Sequence, residues 1–128
     1  MLDHIGFAVA DYGRSIAFYK AALAPLGFGL VIEVSPEMTG GEAYAGFGSE
    51  GRPQFWIGTG KALSGRLHVA FAARSRSEVD AFYEVAMRAG GTDNGKPGLR
   101  PIYHPNYYGA FVLDPDGHNI EAVCYAPG

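Results

Sequence analysis

Asp3-His4-Ile5-Gly6-Phe7-Ala8-Val9 returns, sixty-four residues on, as Leu67-His68-Val69-Ala70-Phe71-Ala72-Ala73. At the same offset Ala17-Phe18-Tyr19 matches Ala81-Phe82-Tyr83, Ala22 matches Ala86 and Gly27 matches Gly91. A period this long in a chain of 128 residues means two copies of one supersecondary unit. Each copy carries a histidine at the same point of its first strand. If the halves pack symmetrically, a pseudo-twofold axis relates the two imidazoles, and a metal site can be assembled from them.

Outward from these strands, Leu2 to Val9 alternates apolar with small or polar residues, and Ser15 to Leu23 carries apolar residues at helical spacing, closed by Pro25 and Gly27. Phe28 to Val34, Glu42 to Phe47 and Gln54 to Ile57 read as strands, which makes the first half βαβββ. Gly58 to Gly65 is the linker. Arg66 to Ala73 restarts the pattern, and Ser75 with Glu78 forms a capping box for a helix to about Ala89, ended by Gly90-Gly91. A weak strand near Thr92 precedes a Pro-, Gly- and Tyr-rich stretch from Gly95 to Tyr107. Two strands follow, Tyr108 to Leu113 and Asn119 to Tyr125, joined by the tight turn Asp114-Pro115-Asp116-Gly117.

The expected fold is therefore α+β, a single domain over 1–128 with module 1 at 1–58 and module 2 at 66–128. One helix cannot cover both faces of a four-stranded sheet, so the concave faces must meet each other or those of a second chain, which predicts a cleft and a homodimer.

Nearly half the residues are apolar, enough for a continuous core, and the net charge is −3 with scattered cations. That balance argues against nucleic acid or a polybasic membrane surface and for a small-molecule partner. The single Cys124 rules out a disulfide framework and fits a reducing, cytoplasmic setting. No apolar run approaches the ~20 residues of a membrane span, and the N-terminus lacks the order of a signal peptide.

Asp3-His4-Ile5-Gly6 with Ser15-Ile16-Ala17-Phe18-Tyr19, the second histidine His68, and the ending Asp114-Pro115-Asp116-Gly117-His118-Asn119-Ile120-Glu121 resemble the glyoxalase, bleomycin-resistance and extradiol dioxygenase superfamily, also called vicinal oxygen chelate proteins. The resemblance spans nearly the whole chain and is specific for the fold rather than the reaction. It implies a divalent metal (Fe, Mn, Zn or Ni) on His4, His68 and Glu121. It also implies that the pseudo-symmetric mate of Glu121 is Phe55, Trp56 or Ile57, none of which binds metal. That departure weakens a lactoylglutathione lyase assignment. What remains is a facial set with open positions, suited to a lyase, isomerase or dioxygenase acting on a small oxygen-chelating substrate. The alternative is a metal-free protein that sequesters a ligand as bleomycin-resistance proteins do.

Four residues near the long stretch, Tyr103, His104, Tyr107 and Tyr108, are candidates to touch the ligand from a lid. Tyr44 is a further candidate for hydrogen bonding a bound oxygen. His118, just past Gly117, reads as solvated. Lys96 and Arg100 are too few to cradle a phosphonate.

Overall fold

Along His68–Ala72 burial alternates, with Val69 and Phe71 turned inward and His68, Ala70 and Ala72 exposed, so this strand has a core face and an open face. The computed structural model describes residues 1–128 as two four-stranded sheets with helices. Module 1 runs β1 (Ile5–Ala8), α1 (Tyr12–Leu23), a 3₁₀ turn (Ala24–Leu26), β2 (Gly29–Val34), a short α2 (Pro36–Thr39), β3 (Tyr44–Ser49) and β4 (Arg52–Gly58). Module 2 runs β5 (His68–Ala72), α3 (Arg76–Arg88), β6 (Thr92–Leu99), β7 (Tyr108–Leu113) and β8 (Asn119–Cys124). The sheet orders are β1-β4-β3-β2 and β5-β8-β7-β6, so the repeat read in the sequence is a repeat of topology. β1 pairs in parallel with β4 and β5 with β8; the other pairs are antiparallel. No barrel closes, and the two sheets are separate.

Local chemistry accounts for the helix limits. Asp11 caps α1 by accepting from the Arg14 amide, so the helix starts earlier than Ser15, and Gly27 ends the following turn at φ 83°. Ser75 caps α3 by accepting from the Glu78 amide. The return half of the expected capping box goes elsewhere, because Glu78 accepts from the Arg74 amide and side chain instead.

The expected loop from Gly95 to Tyr107 is in fact half strand. β6 continues through Lys96, Pro97 and Gly98 as the sheet edge, with register shifts between Asp93 and Gly95 and between Gly95 and Gly98. An edge strand tolerates proline, which need not donate to a neighbour, and glycine accommodates the bulges. The connection shrinks to Arg100 through Tyr107.

α1 buries Phe18, Tyr19, Ala22 and Leu23, α3 buries Val79, Phe82 and Ala86, and the helices pack on each other. Core-facing rings of the two sheets touch directly, with Phe55 and Phe71 edge to face at 5.2 Å. One core thus lies between the modules. The open faces point away from it and carry separate clefts, so within one chain the concave faces do not meet.

A buried polar knot ties the modules together. Asp114, 5% exposed, accepts from the Tyr19 hydroxyl on α1 and from the amides of Asp116 and His118. Asp116 accepts in turn from the Ala10 amide. His118, expected in solvent, is 1% exposed. Its Nδ1 accepts from the Leu67 amide at 2.9 Å and its ring meets Phe7 edge to face, because the turn folds inward over the start of β5.

Burial, then the Asp114 carboxylate, push the Tyr19 phenol well above its usual value near 10. A group whose folded pKa is raised holds its stabilisation below the unfolded pKa and loses it as pH climbs. Tyr19→Phe leaves a buried carboxylate short of a donor and is expected to cost ~1–3 kcal/mol at neutral pH. The gap from wild type should narrow above pH ~10 as the unfolded-state phenol ionises; denaturant unfolding at pH 7 and pH 10.5 measures both.

Candidate functional site

On the open face of module 2 the strand register brings a histidine beside a carboxylate. His68 stands opposite Asn119 and Ala70 opposite Glu121, so His68, Asn119 and Glu121 share one face of the β5–β8 pair. Asn119 Nδ2 donates to His68 Nδ1 at 3.0 Å, which leaves the ring proton on Nε2, and Nε2–H donates to Glu121 Oε1 at 2.9 Å. The other carboxylate oxygen, Oε2, accepts from the Tyr107 hydroxyl. Burial, and then Glu121 itself, push the Tyr107 phenol well above its usual range, so it is a donor at neutral pH.

Glu121 is only 2% exposed, while the His68 side chain is 51% exposed. The imidazole is thus the open lip of the site and the carboxylate its floor. Around them Ala70, Tyr103, Tyr107 and Phe111 shape a cleft of about 420 Å³. Phe111 meets the His68 ring edge to face at 6.2 Å. Tyr103 and Tyr107 pack at 5.0 Å, and Tyr107 rests on Tyr125 at 5.3 Å.

His4 lies elsewhere. It precedes β1 in the cleft of module 1, with Gly6, Tyr44 and Trp56, and its 59%-exposed side chain bonds Asp3 through Nδ1 at 2.7 Å. A single chain therefore assembles no group of three ligating side chains. His68 and Glu121 are brought together, and His4 is not brought to them.

The register also selects among the three mates of Glu121. Glu121 pairs with Ala70 and Trp56 pairs with Gly6, and Gly6 and Ala70 are equivalent positions of the repeat. Trp56 is the mate. Its ring lies over the opposite strand, where a Cβ on Gly46 would come within 3.1 Å of it. Module 2 inverts this arrangement, with the carboxylate on β8 and the ring of Phe111 on β7.

Two of the lid candidates turn away. Tyr108 sits on the core side of β7, where its hydroxyl donates to Asp80 on α3 and Arg76 lies over its ring. One residue before a strand whose faces alternate, Tyr107 takes the cleft and Tyr108 must take the helix side. His104 is exposed, accepts from the Asn106 amide, and leans on Tyr125. Asn119, the partner of Nδ1, went unread in the sequence. Period-two spacing from Glu121 puts it on the same face, and that was the available signal.

The family model described as Glyoxalase/Bleomycin resistance protein/Dioxygenase superfamily matches residues 1–122. The chain belongs to this superfamily. A glyoxalase/bleomycin resistance protein from Albidiferax ferrireducens T118 is similar over 99% of both chains, at 31% identity and a TM-score of 0.77. Glyoxalase I from Zea mays is similar at 22% identity and a TM-score of 0.69 over 96% of this chain, which spans 45% of the maize protein's length. A glyoxalase-related enzyme from Fulvimarina pelagi aligns at 23% identity and a TM-score of 0.67 over 97% of this chain and 87% of its own. At those last two identities the likeness is one of fold. No functionally curated protein matches the sequence. Superfamily membership thus carries the scaffold, and the chemistry has to come from the cleft.

Tyr107→Phe strips the sole hydrogen bond from Oε2 of a buried carboxylate and is expected to cost ~1–3 kcal/mol. Tyr108→Phe removes an exposed bond and should cost less than about 1 kcal/mol. Urea unfolding of the two variants side by side measures the difference.

Proposed function

We propose that the chain is a divalent-metal-dependent enzyme of the glyoxalase superfamily, acting on a small substrate that chelates through oxygen. The observation that carries this reading is the convergence of His68 Nε2 and Glu121 Oε1 to 2.9 Å. Two ligands each ~2.1 Å from one ion and at right angles to one another stand about 3 Å apart, so the pair fits a shared ion. An ion on Nε2 would move the imidazole proton to Nδ1, where the Asn119 amide, turned to present Oδ1, would accept it, and Tyr107 on Oε2 is the outer contact that holds the carboxylate.

The third ligand comes from a second copy. Concave faces that point apart in one chain become a cleft when module 1 of one protomer faces module 2 of another, and β1 and β5 each have a free edge for it. His4 of one protomer then completes the pair His68 and Glu121 of the other, with Trp56 as an apolar wall where glyoxalase I enzymes have a further ligand. A bound ion in such a facial set supplies Lewis acidity toward a chelating oxygen pair. The chain's own part is to fix the Glu121 carboxylate with Tyr107, to hold the imidazole with Asn119 and to line the cleft with rings that limit water. With Trp56 in place of the fourth ligand, lactoylglutathione lyase activity is not the expected reaction.

A metal-free binding role is the second reading, favoured by one observation: His4 is satisfied by Asp3 at the surface rather than aimed at a partner. Metal analysis after purification without chelator separates the two. The enzyme reading expects about one ion per chain. A mixing experiment then tests the shared site. His4→Ala and Glu121→Ala chains each bind no metal alone, but co-refolded they form mixed dimers with one intact site, about one ion per four chains. No recovery on mixing, with dimers present by sedimentation, would place all ligands in one chain and overturn the arrangement.

A further inference from the structure

Beside the His68–Glu121 pair lies a cation that no carboxylate answers. The open face of module 2, read across its strands at one level, presents Glu121 on β8, then Phe111 on β7, then Gly95 on β6. Gly95 has no side chain to offer there. The guanidinium of Arg100 takes the space, since a Cβ on Gly95 would stand 3.3 Å from Arg100 Nη2 and one on Gly98 would stand 3.1 Å from Nη1. A Gly95 Cβ would also fall 2.8 Å from the Phe111 ring, so the guanidinium lies on the same face as that ring.

Arg100 is held rather than loose. Nη1 donates to the Gly98 carbonyl at 2.8 Å and Nη2 to the Lys96 carbonyl at 2.7 Å, and the guanidinium carbon sits 5.4 Å from the Phe111 ring centroid. Its backbone amide donates to the Tyr107 carbonyl at 2.7 Å, which ties it to the residue that orients Glu121. It belongs to no ion pair. A half-buried cation with a fixed orientation and unused donors is set up to meet a planar oxyanion, which a guanidinium binds through two parallel bonds.

We propose that Arg100 anchors a carboxylate of the ligand, so that the site takes a chelating molecule whose acid group lies one aromatic ring's width from its metal-binding oxygens. The inference rests on the metal reading above and gives it a substrate class, chelating carboxylic acids. Phe111 is the spacer, edge to face with His68 on one side and under the guanidinium on the other. A single cation matches a single negative charge, which favours a carboxylate over a dianionic phosphonate.

The test compares ligands that differ in the acid alone. Protein is loaded with whichever of Fe(II), Mn(II), Ni(II) or Zn(II) it binds most tightly, and calorimetry measures its affinity for benzohydroxamate and for the 3- and 4-carboxy derivatives. Wild type should bind at least one acid about 10- to 100-fold more tightly than the parent. Arg100→Gln should lose that preference while keeping its affinity for the metal and for benzohydroxamate, and Arg100→Lys should recover part of it. Equal affinity for parent and acids in wild type overturns the inference alone, as does a preference that survives Arg100→Gln. If Arg100→Gln fails to fold, Arg100→Lys decides: a preference reduced from that of wild type supports the anchor, and an undiminished one overturns it. Absence of metal binding in wild type overturns the metal reading itself, and the inference with it.

Discussion

The Asp114 carboxylate, buried at the tip of the β7–β8 turn, is the constraint from which the rest of the geometry follows. By accepting from Tyr19 on α1 it fixes the turn of module 2 against the helix of module 1. By accepting from the Asp116 and His118 amides it fixes the shape of the turn itself. His118 then receives the Leu67 amide, and the Asn119 amide donates to the Leu67 carbonyl at 2.8 Å. Those two bonds set the register of β8 on β5, and that register alone decides that Glu121 stands beside His68. A slip of one residue would send the carboxylate into the core and expose Ile120.

The duplication is kept in topology and broken in chemistry. Both modules place a bulky ring on the open face, but module 1 draws it from β4 as Trp56 and module 2 from β7 as Phe111. The position freed on β8 is where the carboxylate stands, and its depth comes from what covers it. Gly109 beside it has no room for a methyl group, since a Cβ would approach both Glu121 Oε2 and the Tyr107 ring to 3.1 Å. One copy thus builds an apolar wall and the other a histidine–carboxylate pair. In the proposed dimer these two faces would be complementary halves of one site.

One pair of adjacent tyrosines has opposite destinations. Tyr107 and Tyr108 are neighbours, both donate to carboxylates, and they serve different sides of the sheet: Tyr107 the cleft through Glu121, Tyr108 the helix layer through Asp80. The cluster of rings that made the segment conspicuous in the sequence is a strand boundary seen from both faces. The short connection from Arg100 to Tyr107 gains its order from its two ends, joined by the Arg100 amide and the Tyr107 carbonyl.

The sequence by itself determined the repeat, the order βαβββ twice over, the helix caps at Ser75 and the turn at Asp114 to Gly117. These are local matters of periodicity, propensity and backbone freedom, which neighbouring residues decide. The repeat also singled out His68 as the equivalent of His4, whereas Glu121 came from the resemblance to the superfamily, since its own equivalent in the first copy is not a carboxylate. What the sequence left open depended on pairing between distant segments. The mate of Glu121 became Trp56 only through the parallel register of β1 with β4. His118 was drawn inward by contacts to Leu67 and Phe7, more than fifty and more than a hundred residues away in the chain. His4 was separated from His68 because the two helices pack between the sheets and turn the open faces apart, and that packing is a property of the shared core, not of any motif.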